Sequence, residues 1–522
     1  MRSAHHDTGP APTKCATAFN TWLRRVAGRV LGLAALSIAT ITASAQNATN
    51  ADAVYDGFLK AYLQTTDPSG KTFPTPYITI SLTNRDRAFF WQQAYMITGL
   101  EDAYERNYAT SRKQLISDLL TAVIKQDLAD WSWDGWNDDV AWACIAFARG
   151  YVETGNTAFL NDAVTNWNMA YNRGWDSTYG GGIWERMDVI PGGGKCGLSN
   201  WPFVIAGCFI YQANHDATIL SKCQAIYAWG RSHVFNTSTG RVYEGWYPAG
   251  QGGDDNAYNS GLIINAANAL YKITGTAQYF NDAQLAVNHI MSKYPTILDT
   301  DKPSSGGFGG DQVYRGLSLF ARQNNLWNTY WPWLQNNCAA AWNNRRTDYN
   351  ISRDVYTNAT AQTGNLLAME ALTSVVVQAV TEMNPLTGVH AISNVGNGLA
   401  IDNGSSTAQG ANIIQWAFTG GKPQKWIFTQ NSDSSWNIVS LYSGLALDDP
   451  ASSTANGTQM DQWSTNAGAN QKWWVDVQSD GSYKIWNVAS GLALDNDSRT
   501  ASGSPLIQWS WTGSANQRWS LR

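Results

Sequence analysis

Between Ala51 and about Met383, apolar residues recur at the spacing of an amphipathic helix in segment after segment. Examples are "AFFWQQAYMITGLEDAY" from Ala88, "DVAWACIAFARGYVET" from Asp139 and "SGLIINAANALYKIT" from Ser260. About twelve such segments fit the stretch. Their connections repeat as well: "ETGNTAFLNDA" from Glu153, "ITGTAQYFNDA" from Ile273, and a degraded copy, "QANHDATILSKC", from Gln212. Thr154-Gly155 and Thr274-Gly275 lie 120 residues apart with Asn214 midway, so the period is 60 residues, one pair of helices per repeat. Gly at each break is the expected helix C-cap, and the aromatic that follows starts the returning helix. Six helical hairpins can close into a toroid or stack as an open solenoid. The Gly- and Trp-rich loops, "WDSTYGGGIWERMDVIPGGGK" and "YEGWYPAGQGGDDNAYNSG", precede alternate helices and would gather on one face, which favours the closed form.

After Asn384-Pro385 the pattern changes to short strands and turns. "GLAIDNGSSTAQGANIIQWAFTGGKPQKW" starts at Gly398, and its two copies start at Gly444 and Gly491, 46 and 47 residues further on. None can bury its apolar face alone, so three copies imply a closed, threefold β domain. The N-terminus carries Arg24, Arg25 and Arg29, an apolar run from Val30 and then Ala43-Ser44-Ala45, which reads as a secretory leader. The predicted layout is a leader at 1–45, an all-α domain at 51–383 and an all-β domain at 386–522.

Composition narrows the partners. Charged residues are 14% of the chain, against roughly 25% in typical soluble proteins, and the formal net charge is −5 beside 26 Trp and 23 Tyr. Such a surface suits stacking rather than phosphate binding, so nucleic acid is not an expected partner. Neither is a membrane once the leader is removed. Of the six His, His5-His6 fall in the leader and the rest are scattered, so no metal site or cofactor is expected. Cys15 would leave with the leader. The five remaining cysteines cannot all pair, and Cys208 with Cys223 could be either a bridge or two buried thiols.

The chemistry concentrates at "WSWDGWNDDV", residues 131–140, where two acids stand among tryptophans at the start of a helix. Asn137 could cap that helix, and two acids in its first turn would complement its positive end. The aromatic area of Trp131, Trp133, Trp136 and Trp142 needs another reason, and sugars offer flat C–H faces for rings and hydroxyls for Asp, Asn and Tyr. Glycoside hydrolysis requires two carboxyl groups, about 5–5.5 Å apart when configuration is retained. Neighbouring side chains on one turn can reach that separation, and their repulsion would raise one pKa so that one is acid and the other nucleophile. Asp254 and Asp255 form a rival pair in a Gly-rich loop.

"NDDVAW", the "TG…YF…A" turns, "GGGIWE", "KCGLSN" and "YNSG" together resemble glycoside hydrolase family 76, the α-1,6-mannanases with an (α/α)6 toroid. The resemblance implies retaining hydrolysis of α-1,6-mannosyl linkages, with Asp138 matching the nucleophile and Asp139 the acid/base; cleavage within the polymer is the expected mode. Cys196 stands where that pattern has Asn. Trp136, Trp184, Asn200, Tyr258, Asn259 and Asp311, all at loop-to-helix junctions, are further candidates for the sugar cleft. The C-terminal repeats resemble ricin-type β-trefoil lectins through Gln424-Lys425-Trp426, Gln471-Lys472-Trp473 and Gln517-Arg518-Trp519. That resemblance implies sugar sites at Asp448, Trp463 and Asn470 and at Asp495, Trp509 and Asn516. The first repeat has Asp402 and Trp416 but Pro423 in place of Asn, so it is expected to be weak or silent. The expected molecule is a secreted, monomeric mannan hydrolase with a second carbohydrate ligand on the trefoil. A cell-wall transglycosidase and a non-catalytic mannan-binding protein are the alternatives.

Overall fold

The structure, a computed structural model, describes residues 48–188, 193–298, 309–324, 326–383, 386–431, 433, 435–478 and 482–521. The predicted leader at 1–45 and the Asn384-Pro385 junction lie outside the described residues. Twelve helices occur among the described residues: α1 Ala48–Tyr62, α2 Phe90–Arg106, α3 Thr110–Asp127, α4 Asn137–Thr154, α5 Thr157–Gly174, α6 Trp201–Asn214, α7 Ala217–His233, α8 Ala257–Thr274, α9 Ala277–Lys293, α10 Gly310–Gln323, α11 Trp327–Asn343 and α12 Ala368–Glu382. The even-numbered helices pack in succession, and α12 returns onto α2, so they close a ring; the odd-numbered helices pack outside it. Burial follows the ring. In α4, 15 of 18 residues are buried, whereas α5 buries only 6 of 18, as one apolar stripe facing inward.

The repeated turns behave as their sequences dictate. Gly155 and Gly275 cap α4 and α8 in the left-handed conformation, with φ of 80° and 70°. In the degraded copy His215 holds that place at φ 58°. The next helix then begins at a side-chain cap, Asn156 accepting from the Ala158 N–H and Asp216 from the Thr218 N–H. Inner helices approach closely where a side chain is missing: a Cβ on Gly261 of α8 would lie 2.3 Å from the Gln312 backbone of α10.

The C-terminal part is β-rich. Trp426–Gln430 pairs with Trp436–Ser440, and Lys472–Val477 with Tyr483–Asn487. The third such pair joins the end of the domain to its beginning, Arg518–Leu521 on Ile392–Asn394. Trp426, Trp473 and Trp519 occupy equivalent places, each fully buried. Their indole N–H groups donate to the carbonyls of Ile401, Leu447 and Leu494 at 3.2, 3.1 and 3.1 Å. Cys208 and Cys223 are neighbouring, buried free thiols rather than a bridge.

Candidate active site

Helix α4 starts at a crossing of two loops. The N-cap residue is Trp136, whose side chain makes no capping bond, so Asn137 is not the cap that its sequence position suggested. Asn137 instead lies in the first turn and ties it to the 183–186 segment. Its N–H donates to the Glu185 carbonyl at 2.8 Å and its Nδ2 to the Trp184 carbonyl at 2.8 Å, while its Oδ1 accepts from Arg173 Nε at 2.7 Å. Trp136 bridges to Arg186, whose guanidinium lies 4.6 Å from its ring centre.

Asp138 and Asp139 are therefore held at a buried helix start, each 8% exposed. Asp138 Oδ1 is buried and has no hydrogen-bond partner. Burial raises the Asp138 pKa to about 8; the charges of Glu185 and Asp134 add to the rise, while the first-turn N–H groups of α4 oppose it. Burial raises Asp139 to about 9, with further contributions from the Asp138 charge and from Asp134, to which it is hydrogen-bonded. Both carboxyls thus bind a proton well above the ordinary carboxylate range. A pair of this kind can present one nucleophilic carboxylate and one proton donor.

Three acids beyond those singled out in the sequence, Glu185, Glu244 and Asp134, complete the cluster. Glu185 is also raised by burial, and Cys196 Sγ donates to its Oε2 at 3.5 Å. Burial beside Glu185 and Glu244 keeps the Cys196 thiol well above its ordinary pKa, hence a neutral donor. Glu244 gathers the start of α8: its Oε1 accepts from the Tyr258 hydroxyl at 2.7 Å, and its Oε2 from Asn256 and Asn259 Nδ2, each at 2.9 Å. Asp134 accepts from the Trp136 N–H at 2.9 Å. Glu185 stands inside "GGGIWE", the stretch already carrying the family resemblance; Glu244 had no comparable signal.

The remaining sequence candidates divide. Tyr258 and Asn259 join this cluster through Glu244, and Asn259 Oδ1 is left unpartnered. Trp184 is nearly buried, donates to Asp176 at 2.8 Å and lies 4.9 Å from Lys195 Nζ. Asn200 is fully buried and its amide is consumed within the 183–200 fold, accepting from the Ile183 N–H at 2.8 Å and donating to the Cys196 carbonyl at 2.7 Å. Asp311 is fully buried at the start of α10, accepting from the Tyr95 hydroxyl at 2.6 Å and Arg315 at 3.3 Å. Asp255 is bound to His289 at 2.9 Å and Lys293 at 3.1 Å, and although burial opposes it these partners hold its pKa low. A cavity of about 710 Å³ lies elsewhere, toward the C-terminal ends of the inner helices and the β domain, where Arg149, Glu153, Arg322, His390 and Lys425 line it.

In the β domain, Asp448 Oδ1 accepts from Asn470 Nδ2 and Gln471 Nε2, each at 2.8 Å. Asp495 repeats this with Asn516 at 2.8 Å and Gln517 at 2.9 Å. Trp463 and Trp509 stand exposed beside them. In the first repeat Gln424 Nε2 donates to the Ala417 carbonyl, as Gln471 and Gln517 do to those of Ser464 and Ser510, but it does not also reach Asp402, and Pro423 has no amide to offer.

The model of glycosyl hydrolase family 76 matches residues 46–388, and that of the ricin-type beta-trefoil lectin domain-like family matches 380–463 and 469–522. Among solved structures, the α-1,6-mannanase GH76A of Salegentibacter sp. HEL1_6 is 20% identical at a TM-score of 0.57, over 64% of this chain and 98% of that one; one of its structures is an inactive variant in complex with α-1,6-mannotriose. A family 76 mannosidase of Bacteroides thetaiotaomicron VPI-5482 is 18% identical at a TM-score of 0.55, over 64% of this chain and 97% of that one. At these identities the likeness concerns the fold. A comparison with curated proteins finds no match.

Proposed function

The chain belongs to glycosyl hydrolase family 76, and from that membership we propose that it is an exported, retaining endo-hydrolase of α-1,6-mannosidic linkages, an (α/α)6 toroid carrying a β-trefoil lectin. The observation that carries the reading is the adjacent, buried Asp138–Asp139 pair, both members of which burial raises well above the ordinary carboxylate range. Asp138 attacks the anomeric carbon while Asp139 protonates the departing glycosidic oxygen. Asp139, now a carboxylate, then takes a proton from the water that releases the sugar, so configuration is inverted twice and retained. Asp134, hydrogen-bonded to Asp139, orients the donor, and Glu185, with the Cys196 thiol on it, adds negative charge that favours the cationic transition state.

The test is incubation of the protein with linear α-1,6-mannan, with products sized and their anomeric configuration followed by proton NMR before mutarotation. Internal cleavage giving α products first is expected. Products that are β at first would exclude the paired-Asp mechanism, and an untouched polymer would exclude the activity.

A further inference from the structure

The second repeat of the β domain departs from the other two at one position. In every repeat a strand bearing the Asp pairs with a strand bearing the exposed Trp, and an Ala faces that Trp: Ala400 and Trp416, Ala446 and Trp463, Ala493 and Trp509. Two residues before the Trp, and so on the same face of the strand, the partner directly opposite the Asp differs. Ile414 faces Asp402 and Ile507 faces Asp495, but Asp461 faces Asp448. Where its sister repeats present an aliphatic wall, the second repeat sets a carboxyl against a carboxyl.

The extra carboxyl is built into the site. Asp461 is only 9% exposed, and its Oδ1 receives no hydrogen bond from an N–H or hydroxyl group. A Cβ placed on Gly410 of the neighbouring repeat would lie 4.0 Å from Asp461 Oδ2 and 3.3 Å from the Trp463 ring, so carboxylate and indole flank one point. Asp448 already spends its Oδ1 on Asn470 and Gln471. Asp449, fully buried beside it, gives Oδ1 to Gln508 and leaves Oδ2 unpartnered. Asn412, opposite Asp461 on the third strand, is neutral. Burial, the Asp448 charge and a hydrogen bond shared with the Asp448 carboxyl are what act on Asp461, with no cation among them, so a proton is all that bridges the pair.

A buried carboxylate pair without a cation is costly, and a ligand that brings one relieves it. A bare divalent ion would need six or more oxygens, and among the described residues no group of three or more acidic, His or Cys side chains is arranged to hold a metal ion. A sugar ammonium needs less: two carboxylate acceptors and an aromatic face for the ring. We propose that the second repeat selects a hexose carrying a free amino group, its ammonium held between Asp448 and Asp461 and its apolar face on Trp463, while the third repeat takes neutral sugars. This rests on reading the β domain as sugar-binding.

The experiment titrates the full chain with glucosamine and with N-acetylglucosamine near pH 7 by calorimetry, beside Asp461→Asn, which keeps the side-chain shape, and Asp461→Ile, which copies the other repeats. Wild type should prefer the amine by about tenfold, and both variants should lose that preference while keeping neutral-sugar binding through the third repeat. The preference should also fade below pH 6, where Asp461, raised to about 6 by burial and by Asp448, takes up a proton. No preference in the wild type, or one that survives in Asp461→Asn, overturns the proposal, as does a site that calcium chloride saturates without any response to the amine. If neutral sugars still bind and are lost in Trp509→Ala, only this proposal falls. If no sugar binds the wild type, the sugar-binding reading falls with it.

Discussion

The active-site acids are unusual in proton affinity as well as in position. Asp138 at about 8 and Asp139 at about 9 both lie far above an ordinary carboxyl, first because of burial and then because Glu185 and Asp134 supply negative charge to both and Asp138 to Asp139. In the proposed mechanism Asp138 works ionised and Asp139 protonated, so kcat/KM should rise toward pH 8 and fall above 9, and Asp138→Asn or Asp139→Asn should each lower kcat by about 10³-fold. A profile centred near pH 5 would contradict this environment. Stability follows the same protons. Both groups bind them more tightly folded than unfolded, so their contribution is full below about pH 4 and is lost as pH rises through 8 and 9. The melting temperature of the wild type should therefore decline over that window relative to the Asp138→Asn/Asp139→Asn double variant, by at least a few degrees. Parallel curves in scanning calorimetry would show that the two carboxyls are not what burial makes them.

At the level of elements, the β domain is closed by its own ends. Arg518–Leu521 pairs with Ile392–Asn394, and Trp519 on that strand is as buried as Trp426 and Trp473 in the internal hairpins. Trp519→Ala should cost about 3–5 kcal/mol, as much as Trp426→Ala, although it lies near the chain end. Denaturant unfolding followed by the far-UV signal of the β strands measures this, and a loss below about 1 kcal/mol would mean that the closing pair frays. Much of this architecture was legible in the sequence. The 60-residue period and Thr-Gly breaks announced helical pairs, and the Gln-x-Trp spacing announced three β copies, because a cap or a core Trp is a local demand that must recur in each repeat. Less of the site was legible. Asn137 and Asn200 looked like a cap and a sugar ligand but spend their amides on backbone groups 47 and 17 residues away. Glu185 and Glu244 enter the cluster from loops that meet α4 and α8 only after folding. A cross-strand difference such as Asp461 for Ile507 becomes visible only when register aligns the three repeats.

At the scale of the whole molecule, the proposed division of labour is that the ring performs chemistry and the β domain holds it on polysaccharide. Tethering raises the local concentration of substrate without altering the reacting groups, and it gains nothing on a short soluble chain. The exposed rings give a way to remove it with the fold intact. Trp463 and Trp509 are 44% and 40% exposed, so truncating them leaves no core cavity, whereas deleting the β domain would uncover the inner-helix ends that line the shared cavity. In the full chain, Trp463→Ala/Trp509→Ala should leave turnover of a soluble α-1,6-mannotetraose unchanged and slow release from insoluble mannan by about tenfold or more. Trp416→Ala is the internal control. Its ring is equally exposed at 44%, but with Pro423 in place of Asn and no bond from Gln424 Nε2 to Asp402, that Asp lacks the amides that orient Asp448 and Asp495, so its loss should slow neither substrate. Equal slowing on both substrates in the double variant would place the β domain in catalysis itself, and a deficit in Trp416→Ala matching that of the double variant would show that ring exposure, rather than the Asp-centred site, is what grips the polymer.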